Sequence, residues 1–166
     1  MNFEVVVESA EAARALGRRL AAVLRAGDLL ILGGDLGAGK TTFTQGLGAG
    51  LDVRGDVTSP TFVIARVHPS AGRGPALVHV DAYRLGGIAE LDDLDLDTSL
   101  EDAVTVVEWG EGLAEGLAET RLEVDIARAR GMGPGVDPGA DPDTRTFRFT
   151  PVGVRWLDPG LEGVLA

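Results

Sequence analysis

The chain of 166 residues contains no cysteine, a single lysine (Lys40) and a single asparagine (Asn2). Without cysteine it can form neither a disulfide nor a thiolate metal site, which is compatible with a cytoplasmic protein. No apolar run approaches the roughly 18 residues that a membrane-spanning helix needs. The start, Met1-Asn2-Phe3-Glu4, lacks the basic-then-apolar layout of a secretory signal. Positive charge is also short: 15 Lys and Arg face 26 Asp and Glu, for a net charge of −11. Polynucleotide phosphates are neutralised by basic surfaces, so independent nucleic-acid binding is not expected. Apolar residues are plentiful, at 45% of the chain, enough for the core of about one domain at this length.

The lone lysine lies in Gly34-Asp35-Leu36-Gly37-Ala38-Gly39-Lys40-Thr41, which fits the phosphate-loop spacing Gly-x4-Gly-Lys-Ser/Thr. Arginine accounts for the rest of the strong cations, so an ammonium in this octet stands out. A phosphate loop encloses a compact point charge that bridges β- and γ-phosphates, where a planar guanidinium fork does not fit. Asp28-Leu29-Leu30-Ile31-Leu32 before it suits a buried parallel strand, and Thr42-Phe43-Thr44-Gln45-Gly46-Leu47 after it can start a helix. Strand, glycine loop and helix aim backbone N–H groups and a helix N-terminus at phosphate oxygens, and Thr41 can offer its hydroxyl to Mg²⁺. An ordinary glycine-rich turn is the weaker reading with the octet, strand and helix all in place. Guanine readout normally needs an Asn-Lys-x-Asp loop, and with Asn2 and Lys40 as the lone residues of their kinds, that form of GTP specificity is excluded.

Along the chain, Phe3 to Val7 alternates as a strand should, and Ser9 is a credible N-cap for a helix to about Arg25 with Leu16, Leu20 and Leu24 on one face and Gly27 at its stop. Gly48 to Asp56 reads as a loop, Thr61 to Val67 as a strand, Pro69 to Pro75 as a turn, and Ala76 to Asp81 as another strand. Gly86 to Asp102 is acidic and leucine-spaced, suggesting short helices in a loop. Val104 to Trp109 is rich in β-branched residues and reads as a strand. Thr120 to Ala127 and Thr144 to Thr150 alternate around a Gly/Pro/Asp-rich stretch, an expected antiparallel hairpin. Trp156 is assigned to packing. The expectation is one P-loop NTPase-like α/β domain over 1–166: a three-layer sandwich with a mixed, mainly parallel sheet. Its core covers about 1–127, with a C-terminal hairpin over about 119–150 and a mobile tip at 131–143.

A phosphate loop needs acidic partners for Mg²⁺ and water. Asp81 and Glu108 each end an apolar strand, and strand carboxyl ends are where a parallel sheet forms its ligand crevice; either alone is equally a solvated strand terminus. Thr58-Ser59-Pro60-Thr61-Phe62 is a turn or a segment that senses the γ-phosphate. His79-Val80-Asp81-Ala82-Tyr83-Arg84-Leu85 gathers an imidazole, a carboxylate, a phenol and a guanidinium. Arg84 either neutralises charge on a transferring phosphoryl group or pairs with the acidic stretch after it. Trp109 is a core aromatic or a cover over the site.

The set Gly-Asp-Leu-Gly-Ala-Gly-Lys-Thr-Thr-Phe, Thr-Ser-Pro-Thr-Phe, His-x-Asp-x-Tyr-Arg-Leu and Val-Glu-Trp, in this order and spacing, resembles the TsaE family over about Val7 to Leu117. These are small bacterial ATPases of tRNA threonylcarbamoyladenosine biosynthesis. The resemblance implies that Gly37, Ala38, Gly39, Lys40, Thr41 and Thr42, in the same loop as Asp35, bind the ATP phosphates. It implies Mg²⁺ held by Thr41 and Glu108, a switch at Ser59-Pro60-Thr61, and Asp81 important for hydrolysis. Trp109 would lie near the nucleotide and the Ser9–Glu11 region, including Glu11, near the adenine. It further implies ATP hydrolysis in complex with TsaD and TsaB, with tRNA met through that complex. A small-molecule kinase is the alternative; it needs an acceptor pocket and an arginine-rich lid, and Arg128-Ala129-Arg130 carries no lid signature. A non-enzymatic nucleotide scaffold would not need Thr41, Asp81 and Glu108 together.

Overall fold

The structure is a computed structural model that describes residues 2–34, 39–53, 65–72, 74–81, 102–108, 120–128, 144–157 and 160–165. Seven strands form one sheet: β1 (Phe3–Val7), β2 (Leu29–Gly34), β3 (Ala65–His68), β4 (Ala76–Asp81), β5 (Ala103–Glu108), β6 (Arg121–Arg128) and β7 (Arg145–Val152). Their order is β1-β7-β6-β2-β5-β4-β3. The central run β6, β2, β5 and β4 is parallel throughout, while β7 and β3 run against their neighbours. Since β1 is antiparallel to β7, it shares the sense of the central strands. The mixed, mainly parallel α/β sheet expected from the sequence is therefore present. So is the β6–β7 hairpin, paired from Arg121↔Val152 to Arg128↔Arg145; the tip at 131–143 and the acidic stretch from Gly86 to Glu101 lie outside the described residues.

Two helices pack on one face of this sheet. In α1 (Ala10–Ala21), Ser9 is extended and its hydroxyl accepts the Ala12 N–H at 3.0 Å, as the N-cap reading required. Ala13, Leu16, Gly17, Leu20 and Ala21 form the buried stripe. The helix closes earlier than the expected Arg25: Ala22, Val23 and Leu24 donate to carbonyls three residues back, tightening the last turn. The second helix, α2 (Lys40–Leu51), overturns the loop expected from Gly48, since it continues through Gly48 and Gly50 and stops at a left-handed Asp52. Tertiary contact explains the difference. A Cβ on Gly46 would collide with the Arg14 backbone, and one on Gly17 would collide with Phe43 O, so the glycines let two helix backbones touch. The third predicted strand also shifts, ending at His68 where the sequence suggested Val67.

The sheet's centre is buried on both sides, as three layers demand. On one face Leu30, Leu32, Val104, Val106, Leu122 and Val124 join the cluster formed with α1, α2 and a short C-terminal helix, α3 (Gly160–Leu165). On the other, Leu29, Ile31, Val78, Val80, Thr105 and Val107 are also buried. Under α2, Phe43 packs against Phe147 and Phe149 at centroid distances of 5.2 and 6.2 Å. That aromatic group ties the start of α2 to β7, and each ring buries a large apolar area. Trp156 belongs to the same core, as its packing role anticipated. Among the described residues, no helix is long and apolar enough to cross a membrane.

Candidate functional site

The strand registers set Leu32 level with Glu108 and Glu108 level with Asp81, so β2, β5 and β4 deliver Gly34, Glu108 and Asp81 to one edge of the sheet. This is the carboxyl edge of parallel strands, where the twist opens a crevice. From there α2 leads away. Gly39 precedes it with φ 110°, a left-handed conformation that a side chain rarely adopts, although a Cβ there would meet nothing within 4 Å. Backbone geometry, not space, calls for glycine at this position. Gly39 contributes no capping side chain and the first turn of α2 carries no acid. Gly39 gives the first-turn N–H groups no side-chain cap, and they begin a helix whose dipole favours negative charge there.

Lys40 is only 6% exposed, and its Nζ donates to Gly34 O at 3.0 Å across the base of the loop. The Thr44 hydroxyl donates to Lys40 O at 2.8 Å, and Phe43 N–H to Gly39 O at 2.9 Å, so the helix start is internally fixed. A phosphate oxygen is a stronger acceptor for an ammonium than a carbonyl is, so Lys40 has the chemistry to take an anion at this edge.

Glu108, 3% exposed, faces that ammonium's helix. Thr41 Oγ1 donates to Glu108 Oε1 at 3.3 Å, and His79 Nε2 lies 3.3 Å from the same oxygen. A hydroxyl has one proton and two lone pairs. With the proton turned to Glu108, Thr41 keeps its lone pairs for a cation. The pair of hard oxygen groups fits Mg²⁺, which takes one or two protein ligands and completes its shell with water and substrate phosphates. Among the described residues, no group of three or more His, Cys, Asp or Glu stands ready to hold a metal.

The structure thus brings together Gly39, Lys40, Thr41 and Glu108, with Thr42 in the same first turn. Asp81 closes β4 beside Glu108 in the register. Glu11 lies in the first turn of α1. The two helices meet with Arg14 at Gln45 and Gly46, Gly17 at Phe43 and Leu47, and Arg18 at Gly50, so they share a sense and Glu11 sits at the same end as Thr41. Asp35, Gly37, Ala38, Ser59, Thr61, Arg84 and Trp109 lie outside the described residues. The sequence motif around Asp81 contains His79 but assigns it no role. Its place two residues before Asp81 on one strand was the available signal, since alternate strand residues share a face.

A family model described as threonylcarbamoyl adenosine biosynthesis protein TsaE matches residues 7–132. The chain belongs to the TsaE family. Its TsaE relatives include the tRNA threonylcarbamoyladenosine biosynthesis protein TsaE of Streptomyces coelicolor, 75% identical over 103 residues covering 61% of this chain and 70% of that protein. The protein of the same name from Mycobacterium tuberculosis H37Rv is 58% identical over 107 residues, 60% of this chain and 64% of its own length. The match therefore spans less than two thirds of the Mycobacterium tuberculosis TsaE. Among solved structures, Bacillus subtilis YdiB superposes with a TM-score of 0.74 at 32% identity, covering 99% of this chain and 94% of that one.

Proposed function

We propose that this chain is a Mg²⁺-dependent ATPase of tRNA threonylcarbamoyladenosine biosynthesis, working in the cytoplasm bound to TsaD- and TsaB-like proteins. Membership of the TsaE family supports the pathway. One observation carries the chemistry: a buried lysine behind a left-handed glycine at a helix start, with a threonine hydroxyl 3.3 Å from a buried carboxylate.

In this reading the α2 first-turn amides and Lys40 take the β- and γ-phosphate oxygens, and Lys40 exchanges its Gly34 carbonyl for them. Thr41 and Glu108 hold Mg²⁺, which when bound neutralises charge on the phosphates. Asp81, level with Glu108, orients the attacking water. Ser59 and Thr61 report the γ-phosphate, Arg84 neutralises charge on it, and Trp109 and Glu11 line the nucleotide. The chain does not itself transfer the threonylcarbamoyl group; its hydrolysis supports turnover of the complex that does.

Calorimetry with ATP and magnesium tests the binding step. Lys40→Ala is expected to abolish the heat seen with the parent chain, and unchanged affinity would remove the basis of the proposal. ATP hydrolysis assayed with and without TsaD- and TsaB-like partners and tRNA tests the role. Marked stimulation by the partners supports it; phosphate transfer to an added metabolite would select a small-molecule kinase.

A further inference from the structure

His79 sits in β4, between β3 and β5, with no exposed surface. Burying an imidazole costs free energy unless its nitrogens find partners. Among the described residues neither ring nitrogen has an aligned hydrogen bond, yet Nε2 lies 3.3 Å from Glu108 Oε1. Glu108 is as deeply buried and receives the Thr41 hydroxyl on that same oxygen, also at 3.3 Å. Two groups from two different elements thus converge on one carboxylate oxygen and leave Oε2 to other partners.

Both distances exceed the roughly 2.5–2.9 Å of tight charge-assisted hydrogen bonds. The carboxylate is directed from two sides without being clamped, and a small movement of the ring shortens its contact. Thr41 approaches that oxygen from one side only, so the hydroxyl and the ring together set the direction of the carboxylate. Groups that orient a metal-binding carboxylate typically change metal affinity by about 10–100-fold when lost.

Resting on the Mg²⁺ site of the proposed function, we propose that His79 is a positioning residue: its Nε2–H holds Oε1 of Glu108 and so presents the carboxylate to the cation that accompanies ATP. Packing alone predicts something different. A purely structural histidine would need a buried imidazole shape, with no preference for which nitrogen carries the proton and no link to magnesium.

The chain has two histidines, so imidazole nitrogen NMR on the nucleotide-free protein is readily assigned. The proposal expects the proton of His79 on Nε2 and a shift of that resonance in Glu108→Ala; a proton on Nδ1, or a resonance indifferent to Glu108→Ala, overturns it. Calorimetric titration of Mg²⁺ at fixed ATP supplies a second readout. His79→Leu should raise the magnesium needed for half-maximal nucleotide binding about tenfold while leaving magnesium-free ATP binding in place. His79→Gln, whose amide reaches about as far as Nε2, should recover most of that loss, and the shorter His79→Asn should not. Equal magnesium dependence in Gln and Asn variants overturns the proposal even if the Leu variant does not fold. Failure of the underlying site looks different: Lys40→Ala would then bind ATP normally, or Glu108→Ala would keep the parent's magnesium dependence.

Discussion

Gly39 shows how much one residue can decide. Its φ of 110° is open to glycine and poorly accessible to other residues, while the space where a Cβ would go is empty. Gly39→Ala therefore tests conformation without a steric collision. It is expected to cost about 1–2 kcal/mol in denaturant unfolding, and, on the proposed function, to weaken ATP binding because the backbone at residue 39 must change its angle or carry strain. A variant as stable as the parent, with unaltered ATP affinity, would show that the loop does not depend on this backbone angle. At this scale part of the candidate site was legible. Lys40, Thr41 and Glu108 were named from spacing and strand ends, and the structure places the latter two in contact. The His79–Glu108 approach was not legible, because it joins two strands through a register that the residues of either strand alone do not specify.

Elements were readable where their signals were local. Ser9 marked the start of α1 by its own side chain, and the alternating patterns of β6 and β7 marked a hairpin. The end of α2 was misread because glycine is a helix breaker in isolation, whereas here Gly46 and Gly50 are the surface on which α1 lies. Gly46→Ala separates the two effects. The added methyl gains up to about 1 kcal/mol in helix propensity, but it would stand within 2.9 Å of Arg14 Cα and 2.8 Å of its carbonyl carbon. The helices must part, a cost of about 1–3 kcal/mol, so thermal unfolding should come at lower temperature; a rise in the midpoint would mean the crossing has room. A second tie joins the far ends of the chain. Arg155 donates to both carboxylate oxygens of Asp28 at 2.9 Å and to Val23 O at 2.6 Å, and stacks 4.4 Å from the Trp156 ring centroid. Asp28 is 4% exposed and also accepts the Arg25 N–H at 2.8 Å; Arg155→Ala removes its guanidinium partner and is expected to destabilise by about 3 kcal/mol. Asp28 precedes the amino end of β2, opposite the Lys40 edge, so ATP affinity of the folded variant should be kept. Loss of binding along with stability would show that the two sheet edges are coupled.

For the whole molecule the strand order was the least legible property. β7 inserts between β1 and β6, and β2 lies between β5 and β6, pairings between segments far apart in the chain that no local pattern encodes. Net charge, by contrast, is read directly from the sequence and bears on how a tRNA-pathway protein meets tRNA. With 26 acidic residues against 15 basic ones, the net charge of −11 repels a polyanion. Even proteins with phosphate-binding surfaces show non-specific dissociation constants of only about 10⁻⁴–10⁻⁶ M at physiological salt. The isolated chain should therefore leave labelled tRNA unbound at about 100 μM protein in 150 mM salt, a condition that screens beyond about 8 Å and so gives a local basic patch a fair chance. Adding TsaD- and TsaB-like partners should bring chain and tRNA into one complex, with the contacts supplied by the partners. Micromolar binding by the chain alone, weakening steeply as salt is raised, would instead place a phosphate-contacting surface on this protein and make it a direct reader of the substrate.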